Sequence, residues 1–101
     1  MSNLSTVVST ENGLQLSGSL VFANVSELLE QGTTALRVLQ NLQLDALVID
    51  CKEIIKIDSA GIALLIEWKR WCNNHKKKCQ INGLPNQAKS LIETYRLQHV
   101  I

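Results

Sequence analysis

The chain has 101 residues, ten Lys and Arg against nine Asp and Glu, a formal net charge of +1, 46% hydrophobic residues and 19% charged residues. One small domain spanning 1–101 fits those figures; the chain is too short for two domains and too apolar to be disordered. The even charge balance excludes the basic footprint of a nucleic-acid binder, the four aromatics (Phe22, Trp68, Trp71, Tyr95) leave little for base stacking, and no run reaches the about 20 apolar residues of a membrane span.

Met1-Ser2-Asn3-Leu4 lacks the basic and apolar regions of a signal peptide, which predicts a cytoplasmic protein. Leu4 to Val8 reads as a short strand, and Glu11-Asn12-Gly13 as a turn, because Asn and Gly tolerate positive φ. Leu14, Leu16, Gly18 and Leu20 alternate with Gln15, Ser17 and Ser19, so residues 4–20 form an expected hairpin. After Phe22 the period changes. Val25, Leu28, Leu29, Gly32, Ala35, Leu36 and Leu39 follow helical spacing, with Asn24 as the expected N-cap and Glu27 completing a capping-box pair. Ala46-Leu47-Val48-Ile49 is a continuous apolar run, the pattern of a buried central strand. Cys51 to Ile57 reads as a mixed connector. A second helix is expected from Asp58-Ser59 to about Asn74, then a strand over Lys78 to Asn82, the turn Gly83-Leu84-Pro85, and a short third helix marked by Ala88, Leu91, Ile92 and Tyr95. The order ββαβαβα implies an α/β domain with parallel pairing and right-handed crossovers in its later part.

Enzyme signatures are absent: no GxGxxG, GxxxxGK[ST], HExxH or GxSxG occurs. Cys51, Cys72 and Cys79 form neither CxxC nor a zinc pattern and read as buried free thiols. His75 and His99 have no nucleophile partner in sequence and read as solvated surface residues. Asp50 and Asp58 are the only carboxylates worth weighing as a cation pair, against their ordinary use at strand ends and helix starts. Lys69, Arg70, Lys76, Lys77 and Lys78 contain no acid between them; they either complement a helix C-terminus or form a patch for an acidic partner or an anionic membrane surface.

The start of the second helix, Ile57-Asp58-Ser59-Ala60-Gly61, carries the most information. A hydroxyl there sits beside unpaired N–H groups and the positive end of the helix dipole, an environment that tolerates a phosphate and suits a contact point. Simple capping by Asp58 or Ser59 is the alternative. On a helical wheel Ala60, Leu64, Leu65, Trp68, Trp71 and Cys72 share one arc, the expected core face. Ile62 and Ile66 fall among the polar residues, four apart, which predicts an exposed apolar ridge one turn beyond Ser59.

At these residues the chain resembles a STAS domain, the fold of anti-sigma factor antagonists. Asp58-Ser59-Ala60-Gly61 after Ala46–Asp50 is similar to the family's motif opening the second helix, and Leu16-Ser17-Gly18-Ser19-Leu20 to its early strand. Val21 through Val25, Leu28 through Gly32, Asp58 through Trp68 and Asn82-Gly83-Leu84-Pro85 are more similar to one branch, the small STAS subunit of the intermembrane phospholipid ABC transporter of Gram-negative bacteria. The resemblance implies a STAS-like single domain, a four-stranded mixed sheet with helices packed mainly on one face, and no catalytic residues, metal or cofactor. It implies a cytoplasmic subunit, held at the inner membrane through its complex, that binds the transporter's ATPase and supports its assembly or activity. Asp58, Ser59, Gly61, Ile62, Ile66, Lys69 and Arg70 are the expected partner-binding residues. In that set Asp58 fixes the helix start, Gly61 permits close approach of a partner or the sheet, and Lys69 and Arg70 form the rim. The alternative is an antagonist switched by phosphorylation of Ser59. Dimerisation of the isolated domain is compatible with both.

Overall fold

The computed structural model describes residues 5–101. The period-2 segment forms β2 (Gly13–Leu20), which buries Leu14 and Leu16 and turns Gln15 and Ser17 to the other face. β1 (Thr6–Ser9) pairs with it antiparallel, from Thr6 opposite Ser17 to Ser9 opposite Leu14. Leu4, where the sequence places the start of this strand, and the residues before it lie outside the described residues.

The remaining elements are α1 (Val25–Gln40), β3 (Ala46–Ile57), α2 (Ser59–Asn74), β4 (Lys78–Asn82) and α3 (Asn86–Thr94). The order is the expected ββαβαβα. The sheet runs β1-β2-β3-β4, with β2–β3 and β3–β4 parallel. Leu14, Leu16, Leu47, Ile49 and Cys51 all face the helices and are buried, while Gln15, Ser17, Gln80 and Asn82 lie on the uncovered side. The helices therefore pack mainly on one face, which places the N-termini of α1, α2 and α3 at the ends of the parallel strands.

Two local expectations are corrected. Cys51 to Ile57 is not a connector but the second half of β3. It continues the ladder with β2 through Ser17–Glu53 and Leu20–Ile57, and two register shifts absorb its irregular apolar spacing. β4 ends opposite Asp50, so this half of β3 has β2 on one side and no strand among the described residues on the other. There the Ile57 N–H donates to Gln87 Oε1 of α3 (3.1 Å). The capping box at α1 does not form either. Asn24 occupies the N-cap position, but its side chain turns back to the sheet. Its Oδ1 accepts from Val21 N (3.0 Å), and its Nδ2 donates to Ser19 O and Ser5 Oγ (2.8 Å each).

Trp68 joins the helix layer. A Cβ on Gly32 would stand 2.2 Å from the Trp68 indole, so only glycine lets the ring lie against the α1 backbone. Trp68 is 1% exposed, and its Nε1 has no hydrogen-bond partner among the described residues.

Candidate functional site

Asp58 organises the start of α2. Its Oδ1 accepts from Ala60 N (2.9 Å) and Gly61 N (3.1 Å), satisfying two of the helix's free donors. Its Oδ2 accepts from Phe22 N (3.1 Å), and its own N–H donates to Leu20 O (3.2 Å). One carboxylate thus caps α2 and holds the β2–α1 loop beside it. Asp58→Ala is expected to lower stability by about 1–2 kcal/mol in denaturant unfolding, the cost of a lost cap and a freed loop N–H. Asp58→Asn restores the cap acceptor but turns a donor or a strained rotamer toward Phe22 N, so it recovers only part of the loss.

Ser59 is the first residue of α2 and is exposed; its hydroxyl makes no hydrogen bond with the described residues. Asp58, not Ser59, is the cap, which leaves the serine free at the positive end of the helix. Gly61 is buried. A Cβ there would stand 2.3 Å from Leu20 O and 2.7 Å from Ile57 Cγ1, so Gly61 lets the helix approach the sheet closely.

The expected Ile62–Ile66 ridge is corrected. Ile62 is 2% exposed and belongs to the same core cluster as Ala88 and Ile92. A wheel with one core face assumes that α2 packs on the sheet alone. In the fold α3 also packs against α2, so more than one strip of that helix is covered. Ile66 is half-buried and lines a shallow groove with Lys69, Arg70, Asn73, His99 and Val100. Lys69 Nζ donates to Ile101 O (2.9 Å), and Arg70 pairs with Glu67 (2.9 Å), so both rim cations already have partners on their own chain. The basic run is similarly divided. Lys77 Nζ donates to Leu44 O (2.7 Å), whereas Lys76 and Lys78 are exposed near the opposite end of α2.

The apolar surface lies on the other flank of α2. A cleft of about 290 Å³ between the first turns of α1 and α2 is lined by Phe22, Val25, Leu29, Ala60, Ala63 and Leu64, with Ser26 and Glu67 at its edge. Phe22 is 82% exposed, in a chain with four aromatic side chains in all. It stands on the loop that Asp58 holds through the Phe22 N–H. None of the expected partner-binding residues lines this cleft; Asp58 and Ser59 are linked to it through Phe22, whose N–H Asp58 accepts, and Ala60, which follows Ser59. Phe22 has no place in either flanking periodicity, falling after the last alternating residue and before the first helical one. That lack of a core-facing position is the signal that marks it.

Asp50 accepts from Lys52 N (3.0 Å) and pairs with Lys52 Nζ (3.6 Å), while Asp58 is occupied by the cap. No three His, Cys, Asp or Glu side chains among the described residues are placed to hold a metal ion. His75 stacks on Trp71, with ring centroids 3.9 Å apart.

Residues 6–101 match the family model described as Mlab, STAS domain. The chain belongs to the MlaB-type STAS domain family. No curated protein matches it. A solved structure described as "Crystal Structure Analysis of Mglu" is similar at 16% identity and a TM-score of 0.49, over 76% of this chain and 19% of that one. The chain thus spans about a fifth of that protein's length. In this MlaB-type STAS domain Ser59 is exposed and directly precedes Ala60, which lines the apolar cleft. No helix among the described residues is long and apolar enough to cross a membrane.

Proposed function

We propose that the chain is a non-catalytic subunit that docks onto the ATPase of a phospholipid-transporting ABC complex at the cytoplasmic face of the inner membrane. Membership of the MlaB-type family supports the assignment. The observation that carries it is the apolar cleft lined by Ala60, the residue after Ser59, and by the exposed Phe22. A large exposed aromatic beside an apolar cleft is the form of a binding hot spot. Docking would bury Phe22 and place the Ser59 hydroxyl and the α2 N-terminus against the ATPase.

The test is co-expression with the ABC ATPase and permease of the same genome, followed by affinity purification. The tagged chain retains the ATPase. Phe22→Asp and Ala63→Asp each weaken that association by about 30-fold or more, the effect of losing a hot spot of about 2 kcal/mol. Both sites face solvent, so the melting temperature stays within a few degrees. Failure to retain any ATPase, or undiminished binding by both variants, overturns the assignment.

A second reading rests on Ser59 itself, exposed and without a hydrogen bond. It is an anti-sigma factor antagonist switched by phosphorylation there, where about −1.5 to −2 charges would be added at the interface. Phosphoserine at position 59 in protein from native cells, with loss of an anti-sigma partner, favours this reading over the transporter.

A further inference from the structure

Two Asn-Gly pairs occur in the chain, Asn12-Gly13 and Asn82-Gly83, and neither lines the apolar cleft. Such a pair is chemically labile. Glycine has no side chain to keep its own nitrogen from the preceding Asn side chain, and it leaves the backbone there free to bend. Every other asparagine precedes a residue that has a side chain. In the unfolded chain the two pairs are equivalent, and the fold makes them different.

Asn12-Gly13 is built into the middle of the sheet. Gly13 is buried and opens β2, which lies between β1 and β3. Its carbonyl accepts from Thr10 N (2.9 Å), and the Asn12 carbonyl accepts from Val48 N (2.9 Å). A Cβ on Gly13 would overlap the Val48 carbonyl, so this backbone has no room to turn. Asn82-Gly83 stands where β4, an edge strand, ends. Both residues are exposed, and the Asn82 side chain makes no hydrogen bond with the described residues. Lys78 N donates to Asp45 O (3.0 Å), and in a parallel ladder such bonds recur at every second residue. Asn82 therefore makes the last of them, and the Gly83 N–H faces away from β3. Gly83 adopts a left-handed φ of 74° and begins the turn to α3. The end of an edge ladder opens locally, whereas freeing Gly13 means opening an inner strand.

We propose that Asn82 is a self-modification site, converted through a succinimide to aspartate and isoaspartate, and that the fold protects Asn12 from the same reaction. The Gly83 nitrogen, having given its proton to solvent base, attacks the Asn82 side-chain carbonyl carbon. The C–N bond of the side-chain amide breaks, its nitrogen takes a proton and leaves as ammonia, and a five-membered imide closes. Water then adds to one imide carbonyl and opens the ring. Opening at the side-chain carbonyl gives aspartate, and opening at the main-chain carbonyl gives isoaspartate. One water is consumed and one ammonia released, with no oxidant or metal. The new carboxylate lies beside Asp50, the register partner of Asn82, whose counter-ion Lys52 is already engaged. Isoaspartate also adds a main-chain carbon ahead of Gly83-Leu84-Pro85, the link that sets α3 where Gln87 meets the Ile57 N–H. The reaction does not depend on what docks at the cleft.

The test holds the full, natively folded chain at mildly alkaline pH and follows both Asn-Gly peptides by mass spectrometry, beside a sample unfolded in guanidinium chloride. Conversion exchanges NH for O in the peptide, and a protein isoaspartate methyltransferase marks the isoaspartate fraction. In denaturant the two sites convert at similar rates. In the native chain Asn82 converts about 10-fold or more faster than Asn12, a barrier difference of about 1.4 kcal/mol. Asn82→Gln removes the product, because glutamine needs a larger ring, and leaves the fold intact at this exposed position. Native conversion of Asn12 as fast as that of Asn82 overturns the proposal. So does conversion of Asn82 to aspartate without isoaspartate, or a native Asn82 that stays intact while the unfolded chain converts.

Discussion

Trp68→Ala is expected to lower the unfolding free energy by about 3–5 kcal/mol, the range for truncating a large buried aromatic. A domain of this kind has about 5–15 kcal/mol in total, so the variant is close to unfolding. The indole is the largest fully buried side chain and lies against the backbone of α1 at Gly32. Its removal opens a cavity between the two helices that form the apolar cleft, and neither can close in without moving off the sheet. Trp68→Phe provides the contrast. It keeps an aromatic ring against Gly32 and removes an N–H that has no partner among the described residues, so its cost is about 1 kcal/mol. Urea unfolding monitored by far-ultraviolet circular dichroism measures both. Equal losses for Ala and Phe would mean that something other than ring packing at Gly32 holds the helices together.

Gly61→Ala is the second large effect, out of proportion to one methyl group. The new Cβ would meet the Leu20 carbonyl oxygen at 2.3 Å and Ile57 Cγ1 at 2.7 Å. The carbonyl belongs to the sheet backbone and cannot rotate away, so the first turn of α2 must lift. Lifting strains the Asp58 cap and its bond to Phe22 N. The expected cost is about 2–3 kcal/mol of stability, at the upper end for overpacking by one carbon. Partner binding falls as well, because the Phe22 loop loses its support. Thermal melts with a parallel co-purification separate this variant from Phe22→Asp, which loses binding with little change in melting. A Gly61→Ala protein that melts like the wild type would show that the helix start has slack.

These two variants mark how far the sequence is legible. Elements with a regular period can be read directly, since Leu14, Leu16 and Leu20 reveal a strand, and Leu28, Gly32, Leu36 and Leu39 a helix, through local spacing alone. Asp58 at the start of α2 is legible for the same reason, because a cap is a local device. What the sequence hides depends on contacts distant along the chain. Asn24 has the place of the α1 cap, yet its side chain is taken by Ser5, Ser19 and Val21. Ile62 reads as exposed because a wheel with one core face leaves out α3, which packs against α2 from more than twenty residues later. The second half of β3 reads as a connector because its register shifts break the alternation that marks a strand. Phe22 is legible only by elimination, as the residue that fits neither period, because exposure itself is a property of the assembled chain.

The unpaired half of β3 has a bearing on how the protein behaves in concentrated solution. A strand edge with free N–H and C=O groups is a template for a second molecule, and the exposed Ile55 would ordinarily add to that hazard. Here Lys52, Glu53 and Lys56 place charges along the stretch, and Gln87 occupies the Ile57 N–H at its end. A neighbouring strand could lie down there only by stripping water from those charges. These residues act as gatekeepers against edge-to-edge aggregation, so the chain's colloidal behaviour is governed by a few surface side chains that contribute little to the core.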